Sequence, residues 1–132
     1  MLGSHEFLWG TDLFNHGYYW EAHEAWEGLW QMALGDEKLF FKGLILLSAS
    51  GVKVREGKRG PALRHATRAA EMFLLIPPQV QLELAGVIGR TPSSVAMASI
   101  AAIKTAPMSV AHSVIPDAVF PYVLGDAERN DA

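Results

Sequence analysis

The sequence predicts an all-α fold, a compact antiparallel helical bundle with a buried third helix and an irregular C-terminal segment. Three observations predict this class. Apolar residues recur at helical spacing through most of the chain before Pro107. Glycine, proline and capping residues separate these stretches at helix-length intervals. Half of the 132 residues are hydrophobic and only 19% are charged, which is enough apolar material for one buried core.

The first two predicted helices cover about residues 4–14 and 18–34. Gly17 ends the first helix and Gly35 ends the second, because glycine tolerates the left-handed conformation of a helix C-cap. The second helix carries the sequence FNHGYYWEAHEAWEGLW with its preceding turn. This stretch holds all but one of the tryptophans of the chain.

The third predicted helix extends to about residue 55 from Asp36, a residue suited to an N-cap. Its side chains are apolar nearly all round, which is typical of a helix buried on every side. Several of its residues are small, so neighbouring helices can approach it closely (Gly43, Ser48, Ser50 and Gly51). We therefore expect the second and fourth helices to flank it.

The second half of the chain contains three further predicted helices. Pro61 suits the first position of the fourth helix, which ends before Pro77. A fifth, weaker helix covers residues 80–87, and Thr91 caps a sixth that extends to about residue 104.

Beyond Pro107, prolines interrupt short apolar pieces that we expect to cover the bundle in extended form. The predicted organisation is one helical domain over residues 1–124 and a frayed polar tail over residues 125–132.

Composition excludes several classes of protein. The absence of cysteine excludes disulfides and thiolate metal sites. The N-terminus lacks the basic residues of a signal peptide, and the longest uncharged run near the middle, residues 43–52, is too short to span a bilayer. We therefore expect a cytoplasmic protein with no membrane partner.

Charge is unevenly distributed, although the net charge is only −3. No lysine or arginine precedes Lys38, and six of the eleven basic residues fall within residues 53–68. Such a split is compatible with a nucleic-acid-binding patch or with acidic and basic helices that pack together. The acidic total and the lack of a nucleic-acid-binding motif favour packing, so we expect no nucleic-acid partner.

The polar face of the second helix carries the candidate site. His23 and Glu27 are four residues apart, so they lie on one line of the helix surface. Imidazole and carboxylate are suitable ligands for zinc, iron, manganese or nickel. The hypothesis is metal-assisted hydrolysis, with His23 and Glu27 as ligands of a divalent metal and Glu24 as general base. The HExxE sequence lacks the second histidine of HExxH zinc peptidases. A third ligand would therefore come from elsewhere, and the candidates are His16, His65 and His112.

Two structural interpretations compete with this hypothesis. The polar face can simply be solvated, as in any amphipathic helix. Alternatively, the glutamates of the second helix form buried ion pairs with Arg64 or Arg68 that fix the helix register (Glu21, Glu24 and Glu27).

The tryptophans of the second helix allow a different function. Trp20 lies on the polar face, where it covers a site or meets a partner. This favours a non-catalytic interaction module, a homo-oligomer that associates through a Trp-rich surface. The sequences GYYWEAHEAWEGLW and GPALRHATRAAEMF also resemble helices of tetratricopeptide repeats, which supports a binding module.

The stretch LFNHGYYWEAHEAWEGLW, followed by FFKGLILLSASGVKVREGKRGPALRHATRAAEMF, resembles the family filed as domain of unknown function 309 over residues 13–73. The resemblance implies a small all-helical domain, and members are often labelled predicted metal-dependent hydrolases. We expect further motif residues and three residues of the fourth helix to line the site (Asn15, Trp20, Glu21, Trp30, Arg64, His65 and Arg68). The family carries larger side chains at Ser50 and Gly51, which predicts looser packing or a pocket there.

Overall fold

The computed structural model describes residues 2–108 and 118–125, and within these ranges the chain is helical without a strand. This confirms the predicted all-α class. The six helices of the described residues are α1 (His5–Asn15), α2 (Tyr19–Met32), α3 (Gly35–Arg55), α4 (Arg59–Leu74), α5 (Pro78–Ile88) and α6 (Pro92–Thr105). The predicted tail falls almost entirely outside the described residues, as does His112.

Helix α3 is the centre of the bundle. It packs against α2 on one side and α4 on the other, while α1 adds to α2 and α6 adds to α4. Its largest side chains have no exposed surface (Phe40, Phe41, Leu44 and Leu47). The prediction of a buried third helix flanked by the second and fourth is confirmed, because a helix that is apolar all round must be covered all round.

Small residues of α3 bring the neighbouring helices close. A Cβ atom at Gly51 would lie 2.6 Å from the ring of Tyr19 on α2. Ser50 is buried, and its hydroxyl donates to the carbonyl of Leu47 at 2.6 Å. At Gly51 the expectation of looser packing is therefore wrong, since the Tyr19 ring fills the space of the missing side chain.

Helix starts follow the sequence signals in part. Thr91 caps α6 as predicted, and its hydroxyl oxygen accepts a hydrogen bond from the backbone N–H of Ser94 at 3.3 Å. Asp36 is not the N-cap of α3, because Leu34 takes that position and the helix begins at Gly35. The prediction that Gly35 ends α2 is also wrong, since α2 ends at Met32 with Ala33 as its C-cap. Gly35 adopts a φ of 60°, a left-handed conformation that reverses the chain between α2 and α3.

The described part of the C-terminal segment, residues 118–125, packs on the bundle as predicted, but bends at residues 120, 121, 124 and 125 interrupt the expected extended form. Its alternate side chains are buried (Phe120, Tyr122 and Leu124). Asn15 holds the segment, since its amide donates to the carbonyl of Leu124 at 2.8 Å and its carbonyl oxygen accepts from the Leu124 N–H at 2.7 Å. The hydroxyl of Tyr19 accepts from the N–H of Val119 at 2.6 Å.

The helices of the described ranges include none with the length and apolar character needed to cross a bilayer.

Candidate functional site

A recess of about 500 Å³ opens where α2, α3 and α4 meet. It combines the polar face of α2 with His65 of α4. His65 was one of the three histidines considered above as a third metal ligand. The lining residues are Trp20, His23, Ala49, Val52, Lys53, Glu56 and His65. We call this the histidine recess.

Both imidazoles of the histidine recess have an unpaired nitrogen. The Nδ1 atoms of His23 and His65 are buried, and neither finds a hydrogen-bond partner among the described residues. Buried polar atoms in folded proteins are nearly always paired, because an unpaired one costs free energy. Two such atoms therefore belong to side chains that line one recess.

The other side of His23 faces a carboxylate. Its Nε2 atom lies 3.6 Å from Oε2 of Glu27, which confirms that the two side chains share one line of α2. The ring of Trp20 lies beside His23, with 5.5 Å between ring centroids and 30° between ring planes. Trp20 remains 58% exposed, so this indole forms an open apolar wall of the recess.

Lysines dominate the charge at the α3 end of the recess. Lys53 donates a hydrogen bond to Glu56 at 3.0 Å, and Lys58 lies 3.6 Å from the same carboxylate oxygen. The hydrogen bond from Lys53 lowers the pKa of Glu56 below its ordinary value, and both lysine charges lower it further. One carboxylate thus faces two cations, which leaves this end of the recess with an excess of positive charge.

His65 is held in its neutral form. Burial lowers the pKa of its imidazole, because the charged form loses hydration. Nearby cations lower this pKa further (Lys53, Arg68 and Arg64). A neutral imidazole can accept or donate one proton, which suits it to acid–base chemistry or to ligand binding.

A metal ion does not fit the described side chains. Over residues 2–108 and 118–125, no three or more His, Asp or Glu side chains group closely enough to hold one. Protein zinc sites ordinarily use at least three protein ligands. His16, another proposed third ligand, lies at the end of α1 and donates from Nδ1 to the carbonyl of Asp12 at 2.8 Å. His112 lies outside the described residues.

Glu24 and Glu21 line a different groove, between α1 and α2, with a volume of about 430 Å³. Its other lining residues are His5, Glu6, Trp9, Leu13 and Ala25. Consecutive helical residues point about 100° apart, so Glu24 faces away from the side on which His23 meets the histidine recess. The structure therefore separates the proposed base from the proposed ligand His23.

The remaining predicted site residues make structural contacts elsewhere or do not line the histidine recess. Asn15 fastens Leu124, as described above. Trp30 lies under the ammonium groups of two lysines of α3, at 4.8 and 4.9 Å from the ring centroid (Lys38 and Lys42). Arg64 and Arg68 are exposed and have no ion pair with any carboxylate in the described part of the chain, so the proposed pairs with the α2 glutamates do not form there.

The tryptophans of α2 do not form a common surface. Trp26 is completely buried, and its indole packs against Gly10 of α1. Trp30 is partly buried, which leaves Trp20 as the exposed tryptophan of α2.

Sequence reasoning missed the residues that α3 contributes to the recess. Ala49, Val52, Lys53 and Glu56 follow one another at spacings of three, one and three residues, which places them on one face of a helix. The signal was the appearance of Lys53 and Glu56 at the C-terminal end of α3, after the apolar run of its middle turns. Only the position of α4 shows that this face meets the polar side of α2.

Comparison with known proteins adds a family and no activity. Residues 7–65 match the family model described as Domain of unknown function (DUF309), which confirms the resemblance found in the sequence. No curated protein matches the chain, and no solved structure matches it.

Proposed function

We propose that this chain, whose residues 7–65 belong to the DUF309 family, binds a small molecule in the histidine recess and promotes its hydrolysis. One observation supports the proposal above the others. Two imidazoles from different helices line the same recess, and each has a buried Nδ1 atom without a hydrogen-bond partner among the described residues. The family resemblance to proteins labelled hydrolases suggested the reaction, and the recess supplies groups that can perform it.

The chemistry requires a base and an acid. Neutral His65 accepts a proton from water, and the water oxygen attacks an acyl or phosphoryl centre of the substrate. His23, in its imidazolium form, donates a proton to the leaving group as the bond between that group and the acyl or phosphoryl centre breaks. His65 then releases its proton to solvent and His23 takes one up, which restores both rings. Glu27, on the far side of His23, orients that ring. No step involves a metal, because the described residues do not fit one.

The test is a hydrolysis panel with the purified protein. 4-Nitrophenyl acetate and 4-nitrophenyl phosphate are assayed after dialysis against a chelator, and again with added zinc, manganese or nickel. We expect His65→Ala and His23→Ala each to lose about 10²–10⁴-fold in kcat/KM, the usual contribution of general acid–base catalysis. His16→Ala, which removes an exposed imidazole outside the recess, should keep the wild-type rate.

Two results would overturn the proposal. The first is hydrolysis no faster than free imidazole gives at equal concentration. The second is an equal rate in His16→Ala and His65→Ala. Elemental analysis distinguishes this proposal from metal-assisted hydrolysis. Metal-assisted hydrolysis requires near-stoichiometric metal in the purified protein and loss of that metal in both His23→Ala and Glu27→Ala.

Self-association is a second candidate, favoured by apolar side chains at one end of the bundle. Helices α2 and α4 both end beside the start of α3, because each runs antiparallel to it. Four large apolar side chains are exposed at these helix ends, and the most exposed of them is Leu34 at 84% (Met32, Leu34, Leu74 and Leu75). Exposed apolar patches of this kind often mark contact surfaces.

Sedimentation velocity tests this candidate. A self-associating protein should become monomeric when Leu34→Glu and Leu75→Glu are combined, because each charge would be buried in the contact. Met97→Glu is the matched control, since Met97 is exposed midway along α6. A wild-type monomer over the accessible concentration range would refute self-association.

A further inference from the structure

We infer that the molecule bound in the histidine recess is a small organic anion with a flat ring, such as an aromatic carboxylate or phosphate. The inference rests on the proposed function in one respect, that the recess is a ligand site. It adds the chemical class of the ligand, which follows from the shape of the apolar wall and from the charge opposite it.

The apolar wall fits a flat ring. Trp20 is 58% exposed and lies beside His23, with 5.5 Å between the ring centroids, so its indole offers an exposed aromatic surface at the recess. Ala49 and Val52 of α3 add small apolar side chains to the lining. A planar group stacks on such a surface with little loss of conformational freedom.

The polar groups favour negative charge. Lys53 lines the recess directly, and Glu56 is the only carboxylate that the described residues contribute to the lining. That carboxylate is already engaged by Lys53 at 3.0 Å and approached by Lys58 at 3.6 Å. The imidazoles of His23 and His65 also line the recess, and a ring nitrogen that carries a proton and reaches the ligand can donate a hydrogen bond to an anionic oxygen.

The α1–α2 groove provides a contrast within the same molecule. Trp9 there is 53% exposed, close to the exposure of Trp20, but the groove also contains Glu6, Glu21 and Glu24 and no lysine or arginine. An aromatic anion that stacks on tryptophan should therefore avoid this groove and enter the histidine recess. Comparing the two sites therefore distinguishes a preference for negative charge from a general affinity for tryptophan side chains.

Isothermal titration calorimetry with three probes of one shape tests the inference. The probes are 1-naphthoate, neutral 1-naphthalenemethanol and cationic 1-naphthylmethylammonium. We expect 1-naphthoate to bind about tenfold more tightly than the neutral probe, the effect of one charge-assisted hydrogen bond. The cationic probe should bind more weakly than either.

Matched variants show where on the protein the probes bind. Lys53→Met should weaken 1-naphthoate about tenfold and leave the neutral probe nearly unchanged, whereas Lys42→Met, outside the recess, should change neither. Trp20→Ala should weaken all probes that enter the recess, and Trp9→Ala should not. Circular dichroism confirms that each variant is folded.

The outcomes separate this inference from the proposed function. Equal binding of neutral and anionic probes, or no effect of Lys53→Met, overturns the anion inference and leaves the recess as a ligand site. No binding of 1-naphthoate, with hydrolysis still dependent on His23 and His65, likewise overturns the inference alone. Binding that follows the expected pattern without any hydrolysis supports the inference and refutes the catalytic proposal.

Discussion

Replacing Gly51 by alanine tests how tightly α2 packs on α3. The new Cβ atom would lie 2.6, 2.7 and 2.8 Å from three atoms of the Tyr19 ring. Real Cβ atoms do not approach other atoms so closely, so either the ring or the helix must move. The ring is not free to move, because it is buried against Phe14 and Phe120 and its hydroxyl accepts a hydrogen bond from Val119.

The expected magnitude follows from two opposing effects. Overpacking a well-packed core typically costs about 1–3 kcal/mol, and contact with a fixed ring places Gly51→Ala near the upper end. Alanine regains about 1 kcal/mol over glycine through its higher helix propensity. We therefore expect the free energy of unfolding to fall by about 2 kcal/mol.

Gly28→Ala is the matched control. Gly28 lies on the exposed side of α2, and a Cβ atom there meets nothing within 4 Å. The same chemical change should therefore raise the free energy of unfolding, by up to about 1 kcal/mol. Urea denaturation followed by circular dichroism measures both variants. A Gly51→Ala protein as stable as Gly28→Ala would refute the close α2–α3 contact.

Three further predictions concern stability. Asn15→Ala should lower the free energy of unfolding in urea by about 1–3 kcal/mol, because the two hydrogen bonds between the Asn15 side chain and the backbone of Leu124 are lost; an unchanged midpoint would show that the C-terminal segment does not need this clamp. The pKa of His65 is lowered on folding, so its contribution to stability is present above pH 6.5 and is lost as the pH falls through the lowered folded pKa. His65→Gln should flatten this acid-side loss in urea titrations, and an identical slope would contradict it. Burial raises the pKa of Tyr122, so its contribution is complete below pH 10.0 and is lost at higher pH. Tyr122→Phe should reduce the alkaline loss of stability, and a steeper loss in that variant would count against the buried phenol.

The helices could be predicted because the spacing of apolar residues and the positions of glycine, proline and capping residues determine them locally. Helix α3 was recognisable as central from its apolar side chains alone, and Thr91 was recognisable as a cap. The small residues of α3 were harder to interpret, since a glycine predicts either a void or a close approach. Only the position of the Tyr19 ring, from another helix, decides that Gly51 marks a close approach.

The candidate site could be predicted only in part. The wheel of α2 placed Trp20, His23 and Glu27 on the polar side, and the structure agrees. Periodicity identifies a face without identifying the helix that meets it. For this reason the sequence could not show that Glu24 belongs to the α1–α2 groove, or that Lys53 completes the recess.

The imidazole nitrogen resonances of the folded protein test the central claim most directly. A long-range nitrogen–proton NMR spectrum would be recorded while anionic, neutral and cationic ring compounds are added in turn. A compound that binds should move the Nδ1 resonances of His23 and His65 together and leave those of His16 in place. Binding compounds that move neither resonance, or that move one without the other, would contradict a shared histidine recess.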